Sequence, residues 1–467
     1  MQSDGKQGQS VLKTLDARVG RLFDAGTFVA MESYAGARGE KGQPLSPEMP
    51  GDGVIAGSGR IEGRPVCAAF QLPEAMDGAV GAVHARKIAK TVELAMKTGI
   101  PFVLVLNSRG ARIREGLDVL DGISRIASAM TLASGVIPLI AVVSGPCTGS
   151  AALLPSLSDF VILSESGGFL SDMDTGGSAA AGRAGLTHRT CPDENACLDE
   201  VKALLQYLPD NHLADSAVTE DDASLPGMPV SADMPIRAIA AALSDDAVFY
   251  ELQADYAPSM TTGFVRLSGR VVGMAATDRD SSSGKMTRNA SDKASRFIRF
   301  CDAFNIPLLT VAGTEGYTGG FKEDETAIIS AAARLVFAHA EATIPKIALV
   351  IGAISGPAYT ALVSRPVGAD MVFAWPSASL SILPPETAVE ILYQQEIGDA
   401  ADPGAERGKM LRKYREMVDG PLSAARDGYV DDIIAPEDTR QRLIAAFGIL
   451  SGKREARPAK KHDNMPL

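Results

Sequence analysis

A single duplication restricts the fold of this chain more than any other property. The segment Gly57–Val66 (GSGRIEGRPV) returns as Gly263–Val272 (GFVRLSGRVV), with Gly63 and Arg64 standing 206 positions before Gly269 and Arg270. Lys87 and Lys293, Pro101 and Pro307, and Gly110 and Gly316 keep that spacing, while Pro138/Pro345 and Gly149/Gly356 lie 207 apart. Landmarks repeated in one order mark two copies of one domain. Two copies of a site-bearing fold imply two related pockets, so a protein that handles two ligands is expected. The 467 residues accommodate two domains of roughly 200 residues. The linker is read at Pro209–Pro235, which lacks long periodicity, giving domains 1–235 and 236–467.

Each copy reads alike. A glycine-punctuated strand pair (Val54–Phe70; Phe264–Ala276) precedes an amphipathic helix, marked in the first copy by Val80, Val83, Ile88, Val92 and Ala95. Short apolar strands follow, FVLVL (Phe102–Leu106) and LLTVA (Leu308–Ala312), each running into a Gly-rich turn. Another helix leads to IPLIAVVSG or IPKIALVIG, then to GPCTGSAALL or AISGPAYTAL, and then to a strand at Phe160–Leu163 or Met371–Trp375. Apolar runs alternating with helices predict an α/β fold with parallel sheets and helical crossovers. Ligands in such layouts sit at strand C-termini, where the Gly-rich turns fall.

Composition excludes several classes of function. A net charge of −12 argues against a nucleic-acid surface, because phosphate backbones demand clustered cations. No apolar run approaches the length needed to span a bilayer, and the N-terminus lacks an apolar signal core. Five cysteines without a C-x-x-C pair suit a reduced, cytoplasmic protein better than a disulfide framework. There is no H-E-x-x-H, Cys/His cluster, P-loop or G-x-S-x-G elbow, so neither a metal site nor a hydrolase nucleophile is indicated. His84 and His339 fall on helical patterns, where packing or surface roles are expected.

What remains is backbone chemistry. In Gly145–Ala152 and Ala353–Ala361 a strand ends in small residues and a helix begins, which leaves N–H groups pointing outward. Two such donors aimed at a thioester oxygen form an oxyanion hole worth about 3–4 kcal/mol per donor as an enolate develops. Close helix–strand packing would also explain these glycines; their recurrence in both copies favours the functional reading.

At these loops the chain resembles the carboxyltransferase family of biotin-dependent acyl-CoA carboxylases and decarboxylases, particularly the propionyl-CoA carboxylase β-subunit type. The motifs carrying the resemblance are GDGVIAGSG (51–59), VHARKIAK (83–90), GARIREG (110–116) and GPCTGSA, then NASDKASRFIRFCDAFNIPLLT (289–310), VGADMVFAWP and GYVDDII. The resemblance implies two tandem crotonase-like domains of ββα superhelical repeats, the first for acyl-CoA and the second for biotin on a partner carrier or biotin carboxylase subunit. It also implies a dimer-based hexamer and a site across a dimer interface. Biotin itself would remove the acyl α-proton, which suits a chain poor in His and Cys.

Carried over by position, the thioester hole falls on Gly149 and Ser150, where the family usually has Gly-Gly. The biotin hole falls on Pro357 and Ala358 within Gly356-Pro357-Ala358-Tyr359, where the family reads Gly-Gly-Ala-Tyr. Proline has no N–H, so one donor is absent unless Gly356 or another backbone group replaces it. The resemblance also puts Gly78, Ala79, Arg109, Gly110 and Thr360 at the substrate. Arg109 stands where the family has a glycine, and Thr360 where many members carry an acid that helps set acyl preference. Arg109, Lys285, Arg288 and Lys322 lie on loops expected to approach the sites, where they would either hold a carboxylate or phosphate or remain exposed charges with acidic neighbours.

Three functions fit this pattern. The first is carboxyl transfer between biotin and an acyl thioester on CoA or a carrier protein. The second is biotin-independent decarboxylation with a reassigned second pocket, and the third is a non-catalytic assembly partner.

Overall fold

In the computed structural model, residues 17–36, 50–170, 177–218, 228–318, 323–418 and 420–465 are described. The chain forms two compact units, Met1–Asp215 and Ser216–Leu467. The division falls inside the segment Pro209–Pro235, ahead of residue 236. Ser216 Oγ donates to the Val271 carbonyl at 2.8 Å, Val218 pairs with Arg270, and Val230 enters the second core.

The first unit holds β1 (Val29–Met31), β2 (Val54–Ile61), β3 (Arg64–Gln71), β4 (Phe102–Ser108), β5 (Leu139–Thr148), β6 (Phe160–Ser164), β7 (Gly168–Leu170) and β8 (Arg189–Cys191). Their order is β1-β2-β3-β4-β5-β6-β8, with β7 beside β5. The second unit repeats this with β9 (Tyr250–Leu252), β10 (Met260–Leu267), β11 (Arg270–Thr277), β12 (Leu308–Thr314), β13 (Lys346–Ser355), β14 (Met371–Ala374), β15 (Ser379–Ser381) and β16 (Asp432–Ile433). Here the order is β9-β10-β11-β12-β13-β14-β16, with β15 beside β13. In each, a short edge strand precedes an antiparallel hairpin (β2–β3; β10–β11), and a helix then returns the chain to a parallel strand. This is the ββα succession implied by the resemblance.

Local chemistry explains the match. Both hairpins turn on two residues with positive φ, Glu62–Gly63 and Ser268–Gly269, the geometry that suits the twist of antiparallel strands. An aspartate satisfies each turn: Asp24 accepts from the Glu62 and Gly63 amides, and Asp245 from those of Ser268 and Gly269. The helices Ala82–Thr98 and Arg288–Ala303 bury Ile88, Val92 and Ala95, and Ala294, Phe297 and Ile298, against the sheets. Lys87 and Lys293 are buried on these helices. Each Nζ donates to two carbonyls at or just before the start of its hairpin, Gly51 and Val54 in one unit, Gln253 and Tyr256 in the other. Burial pushes their ammonium groups down to about 8 and about 7.

The central strands β4, β5, β12 and β13 are nearly all buried, as parallel strands covered on both faces must be. Register slips once in each unit, between Leu106 and Ser108 and between Ala312 and Thr314. Pairing resumes at Ser108–Cys147 and Thr314–Ile354, after which the glycine loops begin.

Candidate active site

Three loops meet at the end of β5 in the first unit. The Val80 amide donates to the Gly110 carbonyl at 2.8 Å and the Arg112 amide to the Val80 carbonyl at 2.9 Å, while the Arg109 amide donates to the Asp77 carbonyl at 3.1 Å. The chain thus holds Gly78, Ala79 and Gly110 together. Gly78 has φ +68, and any Cβ there would collide with the Asn107 carbonyl. Gly110 has φ +103 and would put a Cβ 3.0 Å from Thr148 Oγ1, so its missing side chain is what lets this loop reach the β5 terminus. Next come Gly149 and Ser150, both exposed, opening a 3-10 turn through Ala152. Thr148 precedes this turn without capping it through its side chain. The leading N–H groups of such a turn have no partner within it, and the turn follows directly on Thr148, against which Gly110 lies.

Beneath the loops lies a cluster that the sequence motifs do not reveal. Arg112 Nη1 pairs with Asp52 Oδ1 at 2.6 Å and Glu115 Oε1 at 3.2 Å, and its Nε donates to the Ala79 carbonyl at 3.0 Å. His84 is fully buried; its Nδ1 lies 3.1 Å from the Asp52 carbonyl and its Nε2 3.2 Å from Gln71 Nε2. Gln71 Oε1 in turn accepts from the Asn107 amide at 3.1 Å. Burial, reinforced by the Arg112 charge, pushes the His84 imidazole down to about 3, so it is neutral. Arg112 ties the Ala79 carbonyl to a buried carboxylate and thereby fixes the loop. Its residues lie within GDGV, VHARK and GARIREG, but only folding brings those segments together.

Arg109 is exposed and forms no ion pair with a described residue. Among the described residues, no group of three or more His, Cys, Asp or Glu side chains is placed to hold a metal, and no helix is long and apolar enough to cross a membrane.

The second unit repeats the loop geometry. The Met286 amide donates to the Gly316 carbonyl at 2.8 Å and the Thr318 amide to the Met286 carbonyl at 2.9 Å. Gly284, Gly316 and Gly356 have φ of +71, +107 and +53, close to their partners Gly78, Gly110 and Gly149. The chemistry differs. The helix Gly356–Leu362 has Pro357 in its first turn, exposed and without an N–H, while Ala358 is fully buried. Thr360 lines a cleft of about 530 Å³ with Gly356 and Tyr359. Lys285 is half-buried with its amide bonded to the Ser282 carbonyl, and Arg288 leans toward Asp292 at 3.8 Å. Lys322 lies outside the described residues.

Residues 7–465 match the carboxyl transferase domain family. The chain is 39% identical to a putative propionyl-CoA carboxylase beta chain of Bacillus subtilis, the alignment covering 99% of this chain and 95% of that one. It is 36% identical to the methylmalonyl-CoA decarboxylase subunit alpha of Propionigenium modestum, with 99% and 95% covered. Among solved structures it is similar to the transcarboxylase 12S hexamer with hydrolysed methylmalonyl-coenzyme A bound, at TM-score 0.90 and 34% identity, covering 97% of this chain and 92% of that one. A single-chain long-chain acyl-CoA carboxylase, at 21% identity and TM-score 0.78, shares the fold. The duplicated ββα units, the glycine loops and these likenesses agree: the chain belongs to the carboxyl transferase family and is a carboxyltransferase of the acyl-CoA carboxylase type.

Proposed function

We propose that the first unit binds the acyl-CoA thioester and that the Gly149 and Ser150 amides stabilise its enolate as the carboxyl group joins or leaves the α-carbon. The observation carrying this reading is the exposed, uncapped turn at the end of β5, framed by the Gly78–Ala79 and Gly110 loops. Negative charge accumulates on the thioester oxygen as the α-carbon becomes carbanionic. Amides fixed in place meet that charge without reorganising, which is why such donors act mainly in the transition state. Arg109 offers a cation at the rim for a carboxylate or phosphate of the substrate. The substrate class is propionyl- or methylmalonyl-CoA, the chemistry named for the similar chains.

The second unit takes the biotin side, with carrier-bound biotin as the substrate that delivers or accepts the carboxyl group. A biotin carrier subunit and a hexamer of this chain are the corresponding partners, the latter by likeness to transcarboxylase 12S. Lys285 and Arg288 border this second site. The five cysteines, all buried and free, suit a reducing, cytoplasmic setting.

One observation favours a second reading for this half. Pro357 cannot donate and Ala358 is buried, so the two-donor hole expected there is incomplete. A decarboxylase working without biotin would need no such hole. Incubating the purified chain with ¹⁴C-methylmalonyl-CoA, with and without free biotin, separates the readings. Label appearing on biotin supports transfer, CO₂ loss indifferent to biotin supports decarboxylation, and neither reaction overturns the site assignment.

A further inference from the structure

Two of the five cysteines lie side by side. Cys191 ends β8, and Cys197 is the fourth residue of the helix Glu194–Leu205. Pro192 and the cap residue Asp193 turn the chain between them. Asp193 Oδ1 accepts from the Ala196 amide at 2.9 Å, and the Asp193 carbonyl accepts from the Cys197 amide at 3.0 Å. This turn brings the two thiols into hydrogen-bond contact. The Cys197 thiol, as donor, holds the Cys191 thiol below its ordinary range, while the same bond together with burial raises Cys197. Arg189 also lowers Cys191; burial, Asp193 and Glu200, which pairs with Arg189 at 2.8 Å, oppose it. Cys191 is 7% exposed and Cys197 is fully buried. No second thiol acts on Cys67, Cys147 or Cys301, and burial raises each of them.

A thiol held toward its thiolate with a second thiol in contact is the arrangement in which oxidation ends in a disulfide. We propose that Cys191 and Cys197 form a reversible redox-modification site that reacts with a small hydroperoxide. The Cys191 thiolate attacks one peroxide oxygen, the O–O bond breaks, and hydroxide leaves a sulfenic acid on Cys191. The Cys197 sulfur then attacks the Cys191 sulfur. An S–S bond forms, and the sulfenic hydroxyl departs with the Cys197 proton as water. A dithiol reductant returns both thiols. The site adjoins the framework of the first unit's turn. The Cys191 carbonyl accepts from the Glu165 amide at 2.8 Å, just ahead of β7, and β7 pairs with Pro146–Thr148, which lead into Gly149. Closing the disulfide ties β8 to the helix beside this path and lowers turnover through the Gly149 turn. That consequence rests on the active-site reading above; the disulfide itself does not.

Peptide mass mapping of the full chain, treated with hydrogen peroxide and alkylated without reduction, tests the proposal. Both cysteines fall in the tryptic peptide Thr190–Lys202. The expected result is that this peptide becomes two hydrogens lighter and escapes alkylation, and that dithiothreitol reverses both changes. Cys67, Cys147 and Cys301 should still alkylate once the chain is unfolded. Cys197→Ala should stop at a sulfenic acid on Cys191, trapped by dimedone. If the parent forms no such linkage, or peroxide consumes all five thiols alike, the proposal is overturned, and this arm needs no variant to fold. Turnover of methylmalonyl-CoA should fall in the oxidised parent and recover with dithiothreitol, whereas Cys191→Ala should keep its rate under the same treatment. Linkage with unchanged turnover overturns the coupling to the Gly149 turn. A reduced parent without turnover counts against the active-site reading and with it the coupling, while the linkage alone decides the disulfide.

Discussion

The two halves of this protein have nearly the same backbone and different chemistry. Gly78, Gly110 and Gly149 find counterparts in Gly284, Gly316 and Gly356, with left-handed φ at every position and the same loop hydrogen bonds. Under the first set lies the Asp52–Arg112–Glu115 cluster, capped by His84. At the positions 206 residues further on, Asp52, His84 and Arg112 are replaced by Pro258, Ala290 and Thr318, none of which carries a charge. The buried ion pair of the second unit, Arg440–Asp245, sits instead at the hairpin turn. Duplication has kept the backbone geometry of these loops, while the buried support beneath them and the residue after the last glycine, Ser150 in one unit and Pro357 in the other, have diverged. Such a scaffold holds two sites without requiring that they do the same thing.

The largest test of this contrast is Arg112→Ala. It strands the Asp52 carboxylate, which is fully buried, and should cost about 3–5 kcal/mol in urea unfolding. Thr318→Ala, at the matching position, should cost less than about 1 kcal/mol. Equal losses would mean that the buried cluster gives the first unit no special support.

Ser150→Pro comes next. The Gly356–Pro357 step shows that this left-handed turn accepts proline, so the first unit should fold with it. Losing one N–H should lower turnover of methylmalonyl-CoA by roughly 100-fold. Undiminished turnover would remove Ser150 from the hole. The converse change, Pro357→Gly, returns a donor to the second unit, and biotin-dependent transfer should rise by about tenfold. No rise in a folded variant would exclude a hole at that position.

The last test concerns acid stability, where the halves should behave alike. His84 and His339 are both buried and pressed down to about 3 by loss of hydration. In the unfolded chain they titrate near 6.5, so below that pH the unfolded state takes up protons that the fold refuses. Stability is complete above pH 6.5 and should fall by about 1.4 kcal/mol per pH unit for each histidine as the pH drops toward 3. The Nε2 of His339 has no hydrogen-bond partner among the described residues, so His339→Leu should shed its share of this slope in pH-dependent unfolding. An unaltered slope would mean that carboxylates govern acid unfolding.

Much of this could be read along the chain. The repeat predicted two α/β units, the apolar runs marked the buried strands, and strand-to-helix steps with small residues pointed to Gly149 and Gly356. Those signals are local, because strand period, turn glycines and helix starts depend on neighbours in sequence. The position of the boundary within the linker was less legible: Ser216 belongs to the second unit through its hydrogen bond to Val271, 55 residues away, and Val230 through that unit's core.

The order of residues by itself determined the duplicated fold, the glycine turns and the loss of an amide at Pro357, since each follows from backbone geometry within a few positions. Tertiary structure alone decided that Arg112 reaches Asp52 across 60 residues to hold the Ala79 loop, and that Asp427 shares a cleft with Tyr359. Hydrogen bonds and clefts between distant segments depend on how strands and helices pack. No spacing along the chain encodes those distances.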